Sequence, residues 1–125
     1  LVVNDGSKDN TVVVAQQYVN KYPNSVRIID KENGGHGSTI NAGIREATGK
    51  YFKVVDSDDW VDVRAYLKIL EHLQKLEETQ EEVDVVITNF VYEKEQARRK
   101  KIMRYQSSFP ENKVFTCEDA KPLRK

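Results

Sequence analysis

An α/β domain with a mostly parallel sheet flanked by helices is the fold class this sequence predicts, on three observations. Short β-branched apolar runs alternate with segments of helical period. Each early run ends in a loop rich in Asp, Asn or Gly, the punctuation of strand-to-helix crossovers. A chain of 125 residues with 38% apolar side chains suffices for one domain, burying about two thirds of its unfolded surface. Its lone Cys117 excludes a disulfide framework.

The elements follow in order. Leu1 to Val3 reads as the end of a buried strand. The turn formers Asn4 to Asn10 come next, with Asp9 or Asn10 capping a helix that reaches Tyr22 and places Val12, Ala15, Val19 and Tyr22 at helical spacing. Pro23 and Asn24 end it, and Val26 to Ile29 is the second strand. After the loop Asp30 to Gly37, a helix over Ser38 to Thr48 closes at Gly49. Tyr51 to Val55 is a third strand, running into Asp56, Ser57, Asp58 and Asp59. Asp62 caps the most strongly patterned helix, whose Val63, Tyr66, Leu67, Leu70, Leu73 and Leu76 recur every three or four residues to about Thr79. Val83 to Tyr92 is a fourth strand, 102 to 108 a further one, and a short helix starts near Glu118.

Charge narrows the function classes. Twenty Lys plus Arg balance twenty Asp plus Glu, which argues against a chain that holds nucleic acid or an anionic membrane by bulk electrostatics. No apolar run approaches the ~20 residues of a membrane span, and no leader pattern opens the chain, so the expected compartment is the cytoplasm. Leu1 already lies inside an apolar run and Pro122 to Lys125 carry no terminating signal, so the sequence reads as a piece of a longer protein.

Three loops carry the chemistry, and because each follows a strand they are expected on one rim of the sheet. Asp56, Asp58 and Asp59 crowd like charges at a strand end, a pattern that suits a hard cation such as Mg²⁺ or Mn²⁺ completed by a substrate phosphate. A calcium loop would need Gly where Val61 stands and Glu where Leu67 stands. The alternative is that Asp58 or Asp59 simply favours the positive end of the following helix. Asn33 to Thr39 fits neither a Walker loop nor the dinucleotide fingerprint, yet its glycines let backbone N–H groups approach a phosphate or sugar. Asp5 is either an acceptor for a nucleobase or ribose or a turn residue. Arg98 to Lys101 reads as a solvated charged face, with Glu93 and Glu95 beside it.

Taken together, Val2-Val3-Asn4-Asp5-Gly6-Ser7-Lys8-Asp9, Asn33-Gly34-Gly35 with Asn41 and Gly43, Ala47-Thr48-Gly49-Lys50-Tyr51, and Val55-Asp56-Ser57-Asp58-Asp59-Trp60 resemble the family 2 glycosyltransferases over roughly residues 1 to 92. The resemblance implies a Rossmann-like GT-A fold, with 1–92 as the donor nucleotide-binding half and 93–125 as the start of the acceptor side. It implies a nucleoside-diphosphate sugar donor, with UDP favoured, a saccharide or lipid-linked acceptor, and Mn²⁺ or Mg²⁺. Asp5 would contact the base. Asp56 and Asp58 form the DxD pair, Asp56 near the ribose and Asp58 on the metal, while Asp59 faces sugar or acceptor. Lys31, Asn33 and Gly35 fall in the stretch lining the nucleotide pocket.

Departures from the family are visible too. Ile40 stands where many members have Arg, and the opening strand, central in the family's sheet, is not in the sequence. The general base is expected outside the chain. Glu118-Asp119 has its residue types but not its spacing, which leaves Asp119 as the single weak candidate. Inverting transfer in bacterial surface polysaccharide synthesis, association into a homo-oligomer across the unfilled strand position, and peripheral attachment of the full-length protein to the cytoplasmic face of the membrane complete the expectations. The competing classes are a non-catalytic nucleotide-sugar binder and a nucleotidyltransferase. The absence of a basic, glycine-rich triphosphate loop speaks against the latter.

Overall fold

The structure, a computed structural model, describes residues 1–93 and 100–120. The chain forms two compact units, the first Leu1–Trp60 and the second beginning at Val61. Each is α/β in composition.

The first unit is built on a parallel pair. β1 (Val2–Asp5) is followed by α1 (Thr11–Lys21), β2 (Ile28–Lys31) and α2 (His36–Glu46). β1 pairs with β2 in the register Val2↔Ile28, Val3↔Ile29, Asn4↔Asp30, Asp5↔Lys31. Because successive side chains of a strand point to opposite faces, this register sets two polar pairs on opposite sides of the ladder. On one side the buried Asn4 donates from Nδ2 to Asp30 Oδ1 at 2.7 Å. On the other side Lys31 meets Asp5.

Local chemistry fixes the element ends. Asp9 Oδ1 accepts the Thr11 N–H at 3.0 Å, so Asp9 rather than Asn10 satisfies the start of α1. The second strand begins two residues later than the apolar run suggests, because Ser25 and Val26 donate their N–H groups to the Tyr22 carbonyl and are spent in closing α1. α2 begins two residues earlier than expected, since Gly35 in the left-handed region (φ 80°) offers its carbonyl to the Ser38 N–H. It ends at Glu46, whose carbonyl accepts Arg27 Nη2 at 2.7 Å. The buried apolar residues of this unit are Ala15 on α1 and Ala42 on α2, the small side chains that let both helices approach the ladder.

One expected strand is not formed. Tyr51 to Val55 joins no ladder, and the side chains of Phe52 to Val55 stay exposed, Val55 at 50%. A strand persists only where a neighbour takes its N–H and C=O groups, and β1 is hydrogen-bonded to β2 alone among the described residues. The Phe52 ring nonetheless lies beside α2: a Cβ at Gly43 would sit 3.5 Å from it and 3.9 Å from Val3.

In the second unit, α3 (Val63–Glu78) precedes an antiparallel pair of β3 (Phe90–Tyr92) and β4 (Lys101–Met103). The expected strand over Val83 to Tyr92 thus shrinks to its last three residues, with Val85 left 74% exposed. The same lack of a ladder partner is the cause, since β4 opposes only Phe90 to Tyr92. The strand expected over 102–108 is also shorter and earlier, because Ser108 and Phe109 turn back to donate to the Tyr105 carbonyl. Phe90, Tyr105, Phe109 and Phe115 form a chain of ring contacts along this turn. Lys100 pairs with Glu93 at 2.6 Å; Arg98 and Arg99 of the basic run, Glu95 and the terminal Pro122 to Lys125 lie outside the described residues. No helix among the described residues is long and apolar enough to cross a membrane.

Asp62 caps α3 as its sequence position predicts, accepting the Ala65 N–H at 2.8 Å. Asp62→Ala should therefore lower unfolding stability by about 1 kcal/mol, with loss of helical ellipticity in urea titration. An unchanged midpoint would show that α3 is held by packing alone.

Candidate functional site

The ladder register brings Asp5, at the carboxyl end of β1, beside Lys31, at the carboxyl end of β2. Lys31 Nζ donates to Asp5 Oδ1 and, at 2.9 Å, to Ser38 Oγ in the first turn of α2. Two backbone donors complete the carboxylate's shell: Gly34 N–H to Oδ1 at 2.9 Å and Gly35 N–H to Oδ2 at 2.7 Å. Asp5 thus ties β1, β2 and the entry to α2 into one cluster. The side chains of Lys31 and Asp5 are only 23% and 19% exposed, so their pairing is screened far less than a surface ion pair.

This shell governs the acidity of Asp5. The Lys31 hydrogen bond, then those from Gly34 and Gly35, and the Lys31 charge hold the carboxyl at about 2, below its ordinary 3.8, against a smaller opposing effect of burial. Asp5 is therefore an obligate anion and hydrogen-bond acceptor at any physiological pH.

Glycine makes the cluster sterically feasible. At Gly6 (φ 72°) an added Cβ would fall 2.9 Å from the Asn33 backbone nitrogen, so the loop after β1 and the loop after β2 touch only because Gly6 has no side chain. A Cβ at Gly34 would stand 2.7 Å from Ser38 Oγ and 3.1 Å from Lys31 Nζ, inside the cluster itself.

A cleft of about 1020 Å³ opens beside this cluster, entirely within the first unit. Asn4 and Asp5 contribute to its wall from β1, His36, Thr39 and Ile40 from α2, and Val54 to Asp58 from the segment that follows α2. Asp5, Asp56 and Asp58 therefore share one cleft, across a long sequence separation. Asp56 and Asp58 belong to a tight turn in which the Asp59 N–H donates to the Asp56 carbonyl at 3.0 Å. Asp59, Lys31, Asn33 and Gly35 are not among the wall residues. Ile40 lines the cleft, so the wall is apolar at that point.

Among the described residues no three His, Cys, Asp or Glu side chains converge as a metal-binding group. The Asp56–Asp58 turn is an all-oxygen, two-carboxylate donor set on an open wall, which suits a hard cation that takes most of its ligands from water and phosphate rather than from protein. The remaining sequence candidate lies in the second unit. Asp119 Oδ2 accepts the N–H and hydroxyl of Thr116 at 2.9 and 3.1 Å and caps a short 3₁₀ turn, Cys117–Asp119. Those bonds lower its pKa, the opposite of what proton abstraction asks of a general base.

Two contributors to the cluster and its ladder, Asn4 and Ser38, do not stand out as site residues from the sequence. Asn4 is legible in principle, since its position next to Asp5 places it on the other face of the ladder. Ser38 carries only the signal of a helix start; its contact with Lys31 depends on the backbone path through Gly35, which spacing along the chain does not encode.

A cleft at the carboxyl ends of parallel strands, with separated carboxylates on its wall, is where open α/β sheets bind their ligands. The chain matches the family described as Glycosyl transferase family 2 over residues 1–123 and belongs to it, which makes the fold Rossmann-like GT-A. That family generally works with a divalent metal ion. Among similar proteins, the minor teichoic acid biosynthesis protein GgaB of Bacillus subtilis is 34% identical over 86 residues, 69% of this chain and 9% of its own length. The putative glycosyltransferase EpsH of the same organism is 37% identical over 93 residues, 74% of this chain and 25% of its own. An uncharacterized glycosyltransferase of Escherichia coli, YibD, is 46% identical over 61 residues, 49% and 17% respectively. The chain thus spans a quarter or less of the length of these relatives. No solved structure matches it.

Because the folded pKa of Asp5 lies below its unfolded value, its contribution to stability is fully present above about pH 4 and disappears as pH falls through about 2. The excess in thermal midpoint of the wild type over Asp5→Asn should therefore be constant near neutrality and close across that acidic window. A difference that persists unchanged at the acidic end would show that the ionised carboxylate is not what holds the cluster.

Proposed function

We propose that this chain is the donor-binding part of a metal-dependent, inverting glycosyltransferase that moves a sugar from a nucleoside-diphosphate sugar, with UDP favoured, to a saccharide or lipid-linked acceptor. The observation that carries the reading is the single cleft whose wall includes both Asp5 and the Asp56–Asp58 turn. In this reading Asp5 accepts from the base, while Asp56 and Asp58 would hold Mn²⁺ or Mg²⁺ against the diphosphate. When bound, that cation offsets the negative charge that grows on the leaving nucleoside diphosphate. Asp59 extends from the same turn toward sugar or acceptor. Lys31 at the end of β2, with Asn33 and Gly35 of the loop that follows, acts from beside Asp5.

The acceptor hydroxyl, losing its proton to a carboxylate, attacks the anomeric carbon from the face opposite the diphosphate, and inversion results. Asp119, engaged by Thr116, is a poor choice for that base, which supports a base supplied from elsewhere in the full-length protein. A relative named for minor teichoic acid biosynthesis supports a role in building a bacterial surface polymer. The exposed Phe52, Val54 and Val55 beside the single-sided ladder support association with a second copy as a way to cover them.

Thermal unfolding with UDP, GDP, TDP and CMP, each with and without Mn²⁺, tests the reading. A nucleotide at a hundred times its dissociation constant should stabilise by roughly 2.7 kcal/mol. The expected result is a shift with one diphosphate plus Mn²⁺, lost on chelation by EDTA and in Asp58→Asn. A full shift in Asp58→Asn would remove the metal assignment, and no shift with any nucleotide would remove the donor site.

A further inference from the structure

The side of α2 that faces the cleft follows from helical geometry. His36, Thr39, Ile40 and Gly43 line the cleft, and they recur at the three- and four-residue spacing of one helix face. Ser38 lies off that stripe and belongs to the Asp5 cluster, where its Oγ accepts from Lys31 Nζ at 2.9 Å. His36 is the first residue of α2 and follows Gly35, whose N–H donates to Asp5 Oδ2 at 2.7 Å. The stripe therefore starts at the rim where Asp5 stands, and its first side chain is an imidazole.

Cationic donors are scarce at that rim. Asp5, Asp56 and Asp58 are wall residues that, when ionised, only accept. The Thr39 hydroxyl gives its proton to the His36 carbonyl at 2.6 Å. Arg27, also on the wall, donates from Nη2 to the carbonyl of Glu46, the last residue of α2, roughly 15 Å along the helix from His36. Lys53 stands back along its segment, three residues before Asp56. Lys31 is engaged by Asp5 and is not a wall residue. At the rim, then, His36 is the side chain that can offer both an N–H and a positive charge. A nucleoside diphosphate arriving there adds its charge to three carboxylates, of which Asp5 alone has a cationic partner among the described residues.

We propose that His36 is a phosphate-contacting residue of the donor site, its imidazolium donating to the diphosphate so that affinity for the donor rises as this side chain takes up a proton. This rests on the nucleotide-binding reading above. A charge-assisted hydrogen bond to a phosphate oxygen is about twice as strong as its neutral counterpart, so the protonated ring binds the diphosphate more tightly than the neutral one. An unperturbed imidazole changes charge around pH 6.5. The charged groups that share the wall with His36 are Asp5 of β1, with Lys31 of β2 bound to it, and Lys53, Asp56 and Asp58 of the segment after α2. Asp5 stays anionic across the range in which an imidazole titrates.

The test measures dissociation constants of UDP and of uridine, each with Mn²⁺, by calorimetry for the wild-type chain, His36→Gln and His36→Lys at about pH 5.5 and about pH 8. His36 is exposed, so neither substitution disturbs packing. Ionisation of UDP and of every other protein group is common to the three proteins and cancels in their ratios. The wild type should exceed His36→Gln in UDP affinity by about tenfold at the acidic value, narrowing to about twofold or less at the alkaline one. His36→Lys, whose charge is fixed over this range, should hold UDP equally at both. Uridine, which has no phosphate, should bind all three proteins alike. A ratio of wild type to His36→Gln that does not change with pH, or a loss that falls equally on uridine, overturns the inference and leaves the donor site standing. Failure of the wild type to bind UDP removes the donor-site reading and this inference with it.

Discussion

The register of a four-residue parallel ladder is the constraint on which the first unit depends. With Val2 opposite Ile28, Asp5 must fall opposite Lys31 and Asn4 opposite Asp30. A slip of one residue would turn each side chain to the other face of the ladder. Asn4 would then lose Asp30 and be left buried without its partner, and Asp5 would lose the cation that holds it ionised. The penalty for an unpaired buried polar group is larger than the gain from a typical hydrogen bond, so these polar pairs specify the register more sharply than the apolar residues of the short strands could.

From that register the site is built outward by backbone rather than by bulk. Apolar burial is modest: two alanines on the helices of the first unit and Leu76 in the second are the buried apolar side chains among the described residues. The loops after β1 and β2 converge instead through hydrogen bonds and through close approaches that only glycine permits. Gly6 admits the Asn33 backbone, and Gly34 leaves room for Lys31 and Ser38. The consequence is a carboxylate at the cleft wall held by a cation and two backbone donors.

The two carboxylate positions of the cleft are held in unlike ways. Asp5 is locked by Lys31 and two backbone donors and is strongly acidified. The Asp56–Asp58 turn, by contrast, carries its carboxylates exposed, at the end of a segment whose Phe52 ring lies beside Gly43. The first carboxylate is spent largely on the protein's own donors, whereas the exposed pair keeps its oxygens open to solvent.

The sequence by itself determined the α/β class, the three helices within two residues at either end, the Asp62 cap and the association of the Asn-Asp-Gly-Ser loop with the Asp-Ser-Asp turn that marks the family. Those features are local: turn formers, caps and helical periodicity act over a few residues, and the family pattern is a string. Only the tertiary structure decided which apolar runs became strands. Val2–Asp5 and Ile28–Lys31 found partners, whereas Tyr51 to Val55 and the whole of 83–89, equally strand-like in sequence, did not. Strand formation is a property of a pair, and a single run of residues cannot state whether its partner is present. For the same reason the sequence marked Asp5 and Lys31 separately but was silent on their meeting, and on Ser38 joining them, because that contact follows from a ladder register and a left-handed glycine rather than from spacing along the chain.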